Sequence, residues 1–263
     1  MKRSYLVCIL IIVGFSGLFA VPLTASWVEG DVSVKSGTKW QELFLGDSLD
    51  SSALVRLGPG SLAEFTSGSR KIALSSEGSF NLDSLLQSSG AQVQKRSAVI
   101  SKLGRMVDNQ TPRSSVVAGV RGEFEGTTEK TEWAVDDDPE VLAADARRYL
   151  EQNNFVEAAK LFGEASMEAY GEQKDEYTYS QAWCLAASEN VLGAIKILRP
   201  MQPIGLYSTP RAILLARLSL DTGAYKEAVA ILSDAKKNPN LSSDDAEMIK
   251  QLQVEAQQAS INK

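Results

Sequence analysis

The chain has 263 residues, enough for one large domain or two ordinary ones, and its 44% hydrophobic fraction can fill a packed core, which excludes wholesale disorder. Its formal charge of −6 at pH 7 is a poor basis for neutralising nucleic-acid phosphates, so no nucleic-acid partner is expected. Histidine is absent, which removes the usual general base, the Ser-His and Cys-His nucleophile pairs and most zinc sites.

Residues 1–20 begin with Lys2 and Arg3 and continue as an uncharged apolar run in which Gly14, Ser16 and Gly17 gather near the end. This is the n-region and h-region of a signal peptide, with cleavage expected after Ala20 or Ala25, and it directs the chain to the periplasm or outside the cell. The alternative is an uncleaved inner-membrane anchor over residues 5–20. Cys8 lies too early in the run to accept a lipid. Processing leaves Cys184 alone, so no internal disulfide is expected, and its apolar helical neighbours make it a small buried hydrophobe.

Between Ala25 and Asp83 the pattern changes to short alternating runs separated by Gly, Ser and Asp. Strands are predicted at Trp27–Val34, broken at Gly30-Asp31, and at Lys39–Leu43, Ala53–Leu57, Ser61–Phe65, Lys71–Leu74 and Ser79–Leu82. Turns this frequent imply an antiparallel all-β unit rather than βαβ crossovers. The Gln- and Ser-rich stretch Gln87–Gln94 reads as an exposed loop. Apolar residues at Val99, Ile100, Leu103, Met106 and Val107 then form a helical stripe over 97–108. That helix is expected as an insertion that lays its stripe on the sheet, or as a partner-docking helix.

Gly30-x-Val32 with Trp40, then Gly46-Asp47, then an apolar run closed by Gly60-Ser61, resembles the FecR-type periplasmic domain over residues 25–135. Thr111-Pro112 and the later Val116-Val117-Ala118-Gly119-Val120-Arg121-Gly122-Glu123-Phe124 are similar to the signature closing that domain, with Glu123 where Thr is common. The resemblance makes Gly119, Val120, Arg121, Gly122 and Phe124 a structural motif. Arg121 is expected to pair with a carboxylate or to hold an anion. Members of the family relay surface signals to sigma factors through a cytoplasmic segment, and with only Met1–Ser4 ahead of the apolar run, direct sigma-factor regulation is not expected.

Asp136-Asp137-Asp138 before Pro139 lacks the follow-on residues of a calcium loop and reads instead as a helix start capped by Asp138. Helical hairpins follow. Arg211–Lys237 folds back at Asp221-Thr222-Gly223, with small residues at Ala216, Ala228 and Ala235 where helices must touch. Ala158, Ala194 and Ala228 are spaced by 36 and 34 residues, with Phe162, Leu198 and Leu232 in register behind them. The middle copy has Glu189-Asn190-Val191 in place of the Gly-aromatic turn, which makes its pairing the weakest. This period resembles the tetratricopeptide (TPR) repeat over 139–260, with a terminal helix from Ser242 or Ser243 whose inner stripe is Ala246, Ile249, Leu252 and Ala256.

The TPR resemblance implies a concave groove for a protein or peptide partner, lined by Arg147, Tyr179, Trp183 and Arg217, an aromatic-plus-Arg composition suited to hot spots. The alternative for Trp183 is a core position. The expected fold class is therefore α+β multidomain: an N-terminal all-β FecR-like domain and a C-terminal all-α TPR-like helical array. The function expected is that of an exported, non-enzymatic interaction or scaffold protein of the bacterial envelope, with no catalytic residues, metal or cofactor. The rivals are an anchored signal-transducing FecR-type protein and a cell-wall or polysaccharide-binding module.

Overall fold

A computed structural model describes residues 22–108, 138–203 and 205–261. The expected signal segment and the Gly119–Phe124 motif lie outside these residues. The N-terminal half holds two antiparallel sheets. One runs β4 (Ser48–Leu49), β1 (Leu23–Glu29), β6 (Leu62–Ser67), β7 (Arg70–Leu74), and the other β3 (Lys39–Glu42), β2 (Val32–Ser36), β5 (Leu54–Leu57), β8 (Gly78–Asn81). The short strand β4 had no signal in the sequence pattern, because two residues are too few to show alternation.

The two sheets share a core of Leu23, Val32, Val55, Leu57, Phe65, Ile72, Leu74 and Phe80. Alternation along the first sheet assigns its other face to the helices. Trp27, Glu64 and Ala73 stand in register across β1, β6 and β7, and Trp27 and Ala73 pack on the helical core that also takes Leu62.

After β8 the chain enters α1 (Leu82–Asp108) without a loop. Asn81 opens it, its Oδ1 accepting from the Asp83 amide at 3.0 Å. The stretch Gln87–Gln94 is therefore helical, not a loop. Ser88, Ser89 and Gly90 are poor helix formers, and tertiary packing at both ends of the element overrides them. Leu82, Leu85 and Leu86 belong to the β core, whereas Ile100, Leu103 and Val107 belong to the helical core. So α1 ties the two cores together instead of decorating one sheet.

Beyond Asp138 the described residues form α2 (Pro139–Glu151), α3 (Phe155–Glu168), α4 (Gly171–Ala187), α5 (Val191–Leu198), α6 (Ser208–Asp221), α7 (Tyr225–Ala235) and α8 (Ser243–Ile261). Asp138 caps α2, accepting from the Glu140 amide at 2.9 Å with Pro139 in the first turn. Ser242 caps α8, accepting from the Asp245 amide at 3.1 Å.

The turns after α2, α4 and α6 are built alike. Their middle residues, Asn153, Glu189 and Gly223, all have positive φ, at 57°, 64° and 77°. Each donates its amide three residues back, to Leu150, Ala186 and Leu220, and the following amide reaches five back, to Tyr149, Leu185 and Ser219. This is the Schellman closure of a helix C-terminus, repeated once per hairpin. The middle pair keeps the same turn as its neighbours despite Glu189. Ala158, Ala194 and Ala228 each have no exposed surface, as close helix contact at those positions requires.

The β-half docks on the array through more than α1. Ser75 Oγ and Thr222 Oγ1 lie 2.6 Å apart in a buried contact. Arg199 donates to the Ser75 carbonyl at 2.9 Å while its guanidinium also grips Glu227. Lys196 pairs with Glu29.

Candidate functional site

The residues that the sequence marks for binding lie on α2, α4 and α6, and α1 packs against α4 and α6. Trp183 on α4 is 6% exposed and donates its Nε1–H to the Ile100 carbonyl of α1 at 3.0 Å. Its edge meets Phe155 at a centroid distance of 5.8 Å and 78° between planes. Gly104 of α1 sits directly on the indole, and a Cβ there would come within 2.8 Å of Cζ2. A glycine at this point of α1 is what lets the two helices close over the ring.

One turn closer to the β-half, α1 brings cations to acids. Arg96 Nη1 lies 3.6 Å from Asp221 Oδ2, and Lys95 Nζ lies 3.1 Å from Glu255 Oε1. Between them Arg217, 1% exposed, donates to Asp221 Oδ1 and to Glu255 Oε2. Burial pushes the Asp221 carboxyl up to about 6 against the opposing pull of Arg217 and Arg96. Its Oδ2 is buried with no hydrogen-bond partner.

The four residues expected to bind are each engaged within the chain. Trp183 is held under α1, and Arg217 is held among α1, α6 and α8. Tyr179 has no exposed surface and packs on Tyr207 at 5.6 Å between ring centroids; burial raises its hydroxyl well above the ordinary range. Arg147, the fourth residue, is part-buried and bonded to Glu176 at 2.7 Å. The four do not converge on an open trough: α1 covers Trp183 and borders Arg217, whereas Tyr179 packs on Tyr207 and Arg147 pairs with Glu176. Cys184 beside them is fully buried, as its neighbours imply.

Sequence reasoning missed Arg96, Gly104, Asp221 and Glu255. Only the Arg217/Asp221 spacing, four apart on one helix, carried a readable signal. The rest depend on contacts between distant segments.

Clefts border α1. One of about 430 Å³ is lined by Leu150, Phe155, Trp183 and Ser101 among others, and one of about 190 Å³ by Lys102, Met248, Gln251 and Leu252 among others. A larger one, about 810 Å³, opens between β7, the N-terminal part of α1 and the turn after α6, where Arg70, Lys71, Arg96, Glu189 and Tyr225 mix both signs of charge. Among the described residues no group of three or more His, Cys, Asp and Glu side chains could hold a metal ion, and no helix is long and apolar enough to cross a membrane. Comparisons with protein-family models, with curated proteins and with solved structures gave no match.

Proposed function

We propose that this chain is an exported, non-enzymatic interaction or scaffold protein of the bacterial envelope, in which a FecR-like β-half carries a TPR-like helical array that receives a polypeptide helix. The observation that carries the reading is the seat of α1: an amphipathic helix lies on α4 and α6, anchored by the Trp183 hydrogen bond and by Arg96 and Lys95 against Asp221 and Glu255. Helix-in-groove recognition uses this combination of an apolar stripe and flanking charge. Support for the repeat resemblance comes from the identical turns at Asn153, Glu189 and Gly223, which keep the spacing of the anchor alanines.

A photo-crosslinking residue placed at Gln251 or Ala187, both lining clefts beside α1, tests the reading in the native envelope, with Lys160 on α3 as the control. The expected result is one defined, protease-sensitive adduct from the two cleft positions and none from the control. Adducts that only a muramidase releases would favour the cell-wall module, and an unprocessed N-terminus on the recovered protein would favour the anchored signal transducer.

A further inference from the structure

Core helices normally pack as densely as organic crystals. The inner face of α1 packs in that way at Ile100, Leu103 and Val107, but clefts open to solvent border the helix, one of about 430 Å³ and one of about 190 Å³. Its hold on the array is also partly ionic, and the arithmetic of charge is instructive. Without α1, the seat has two carboxylates, Asp221 and Glu255, for the single guanidinium of Arg217. Arg96 and Lys95 of α1 bring cations to that excess of negative charge. Asp221 Oδ2 still lacks a hydrogen bond with α1 in place, so the match is serviceable but incomplete. Finally, Ser88-Ser89-Gly90 puts the weakest helix formers of α1 between its β-core anchor and its groove-bound portion.

We infer that residues 92–108 are a displaceable internal ligand of the α4–α6–α8 face, exchanging there with a basic amphipathic helix of a partner protein. The recognition pattern can be read from α1 itself. It has a cation at the place of Arg96, aliphatic side chains at the places of Ile100, Leu103 and Val107, and a residue without a side chain at the place of Gly104, where the indole of Trp183 leaves no room. This deepens the proposed function and rests on it. In the closed chain the site is competent only in the fraction of molecules whose α1 has lifted, which lowers the apparent affinity for any partner by that fraction.

The test uses the full chain and a fluorescent synthetic peptide copying residues 92–108, read by anisotropy. Gly104→Leu, which sets a side chain against Trp183, lifts α1 while leaving the seat intact, and is expected to tighten peptide binding by about tenfold or more. A peptide carrying Arg96→Glu is expected to lose most of that binding. Lys95→Cys with Glu255→Cys, bridged by a short bismaleimide in a Cys8→Ala, Cys184→Ala background, is expected to abolish it. Equal binding by the bridged and unbridged chains, or no gain in a folded Gly104→Leu variant, overturns the inference. Should Gly104→Leu not fold, hydrogen exchange on the parent chain decides: amides of 92–108 must exchange through a lower-energy opening than those of α6, and equal protection overturns the inference. An envelope adduct without peptide exchange would leave the scaffold reading standing with a different docking face. Peptide exchange without an adduct would leave the displaceable helix standing and remove the scaffold reading.

Discussion

Glu189 carries backbone strain that its two counterparts avoid. All three hairpin turns need a left-handed middle residue; Gly223 adopts it freely and Asn153 at modest cost, but Glu189 has a full side chain at φ 64°. The left-handed region costs an ordinary L-residue about 1–2 kcal/mol. Glu189→Gly is therefore expected to raise stability by about 0.5–1 kcal/mol after the extra entropy of glycine is subtracted, read as a higher urea midpoint at unchanged slope. A lower midpoint would mean that the Glu189 side chain holds something the turn geometry does not reveal. The same positions explain a limit of the sequence. The 36 and 34 spacing of Ala158, Ala194 and Ala228 was legible because small residues at helix contacts recur, whereas Glu189 hid a turn whose signal is normally glycine.

Asp221 sets a second expectation at this scale. Its carboxyl, ordinarily near 3.8, is held near 6 in the fold by burial, ahead of the favourable charges of Arg217 and Arg96, with Glu255 adding to the rise. Between those two values the folded chain binds a proton that the unfolded chain does not, so this group loses stability as pH rises from about 4 to about 6 and is level above that. The stability of the parent relative to Asp221→Asn is expected to be greater at pH 4.5 than at pH 7.5, by about 2 kcal/mol. Urea melts of both proteins at the two values measure it. A parent that gains on the variant as pH rises would show that the ion pairs outweigh the burial.

At the scale of the element, α1 is where sequence and structure part company. Its C-terminal stripe at Val99, Ile100, Leu103, Met106 and Val107 could be read from spacing, and those residues do face the core. Its start could not, because Gln87–Gln94 has the composition of a loop, and what keeps it helical is burial of Leu82 at one end and Ile100 at the other. The fate of Trp183 was equally hidden: the carbonyl it bonds lies 83 residues upstream, a separation no local pattern encodes. An aromatic four residues from another on a helix reads the same whether solvent or a second helix covers it. The close approach at Gly104 gives this element its measurable consequence. Gly104→Ala would ordinarily favour a helix by about 1 kcal/mol. Here the added methyl meets the ring of an indole that is buried and hydrogen-bonded, so the change is expected to destabilise by about 1–3 kcal/mol, as overpacking does. Trp183→Phe in the Gly104→Ala background is expected to recover part of that loss, a coupling that a double-mutant cycle would expose.

Across the whole molecule the two halves, distinct in composition, are expected to unfold together. Both cores share one helix, since Leu82 sits in the first and Leu103 in the second. The Ser75–Thr222 contact and the Arg199 bridge from Ser75 to Glu227 close the same interface at another point. Loss of either core exposes the apolar side of α1, which makes a half-folded species costly. Urea unfolding followed by far-UV circular dichroism, dominated by the helices, and by the fluorescence of Trp27 and Trp40 in the β-half should then give coincident midpoints, with Trp133→Phe and Trp183→Phe removing the other two tryptophans from the emission. Arg199→Ala cuts the second tie and is expected to shift both midpoints down together by about 1–3 kcal/mol, because the charge-assisted bonds it makes are replaced by water on both sides of the interface. Separation of the two signals in the parent would mean that α1 holds each core without joining them. Separation only in Arg199→Ala would mean that the joint lies at the Arg199 bridge from Ser75 to Glu227, and that α1 and the Ser75–Thr222 contact cannot carry the coupling without it.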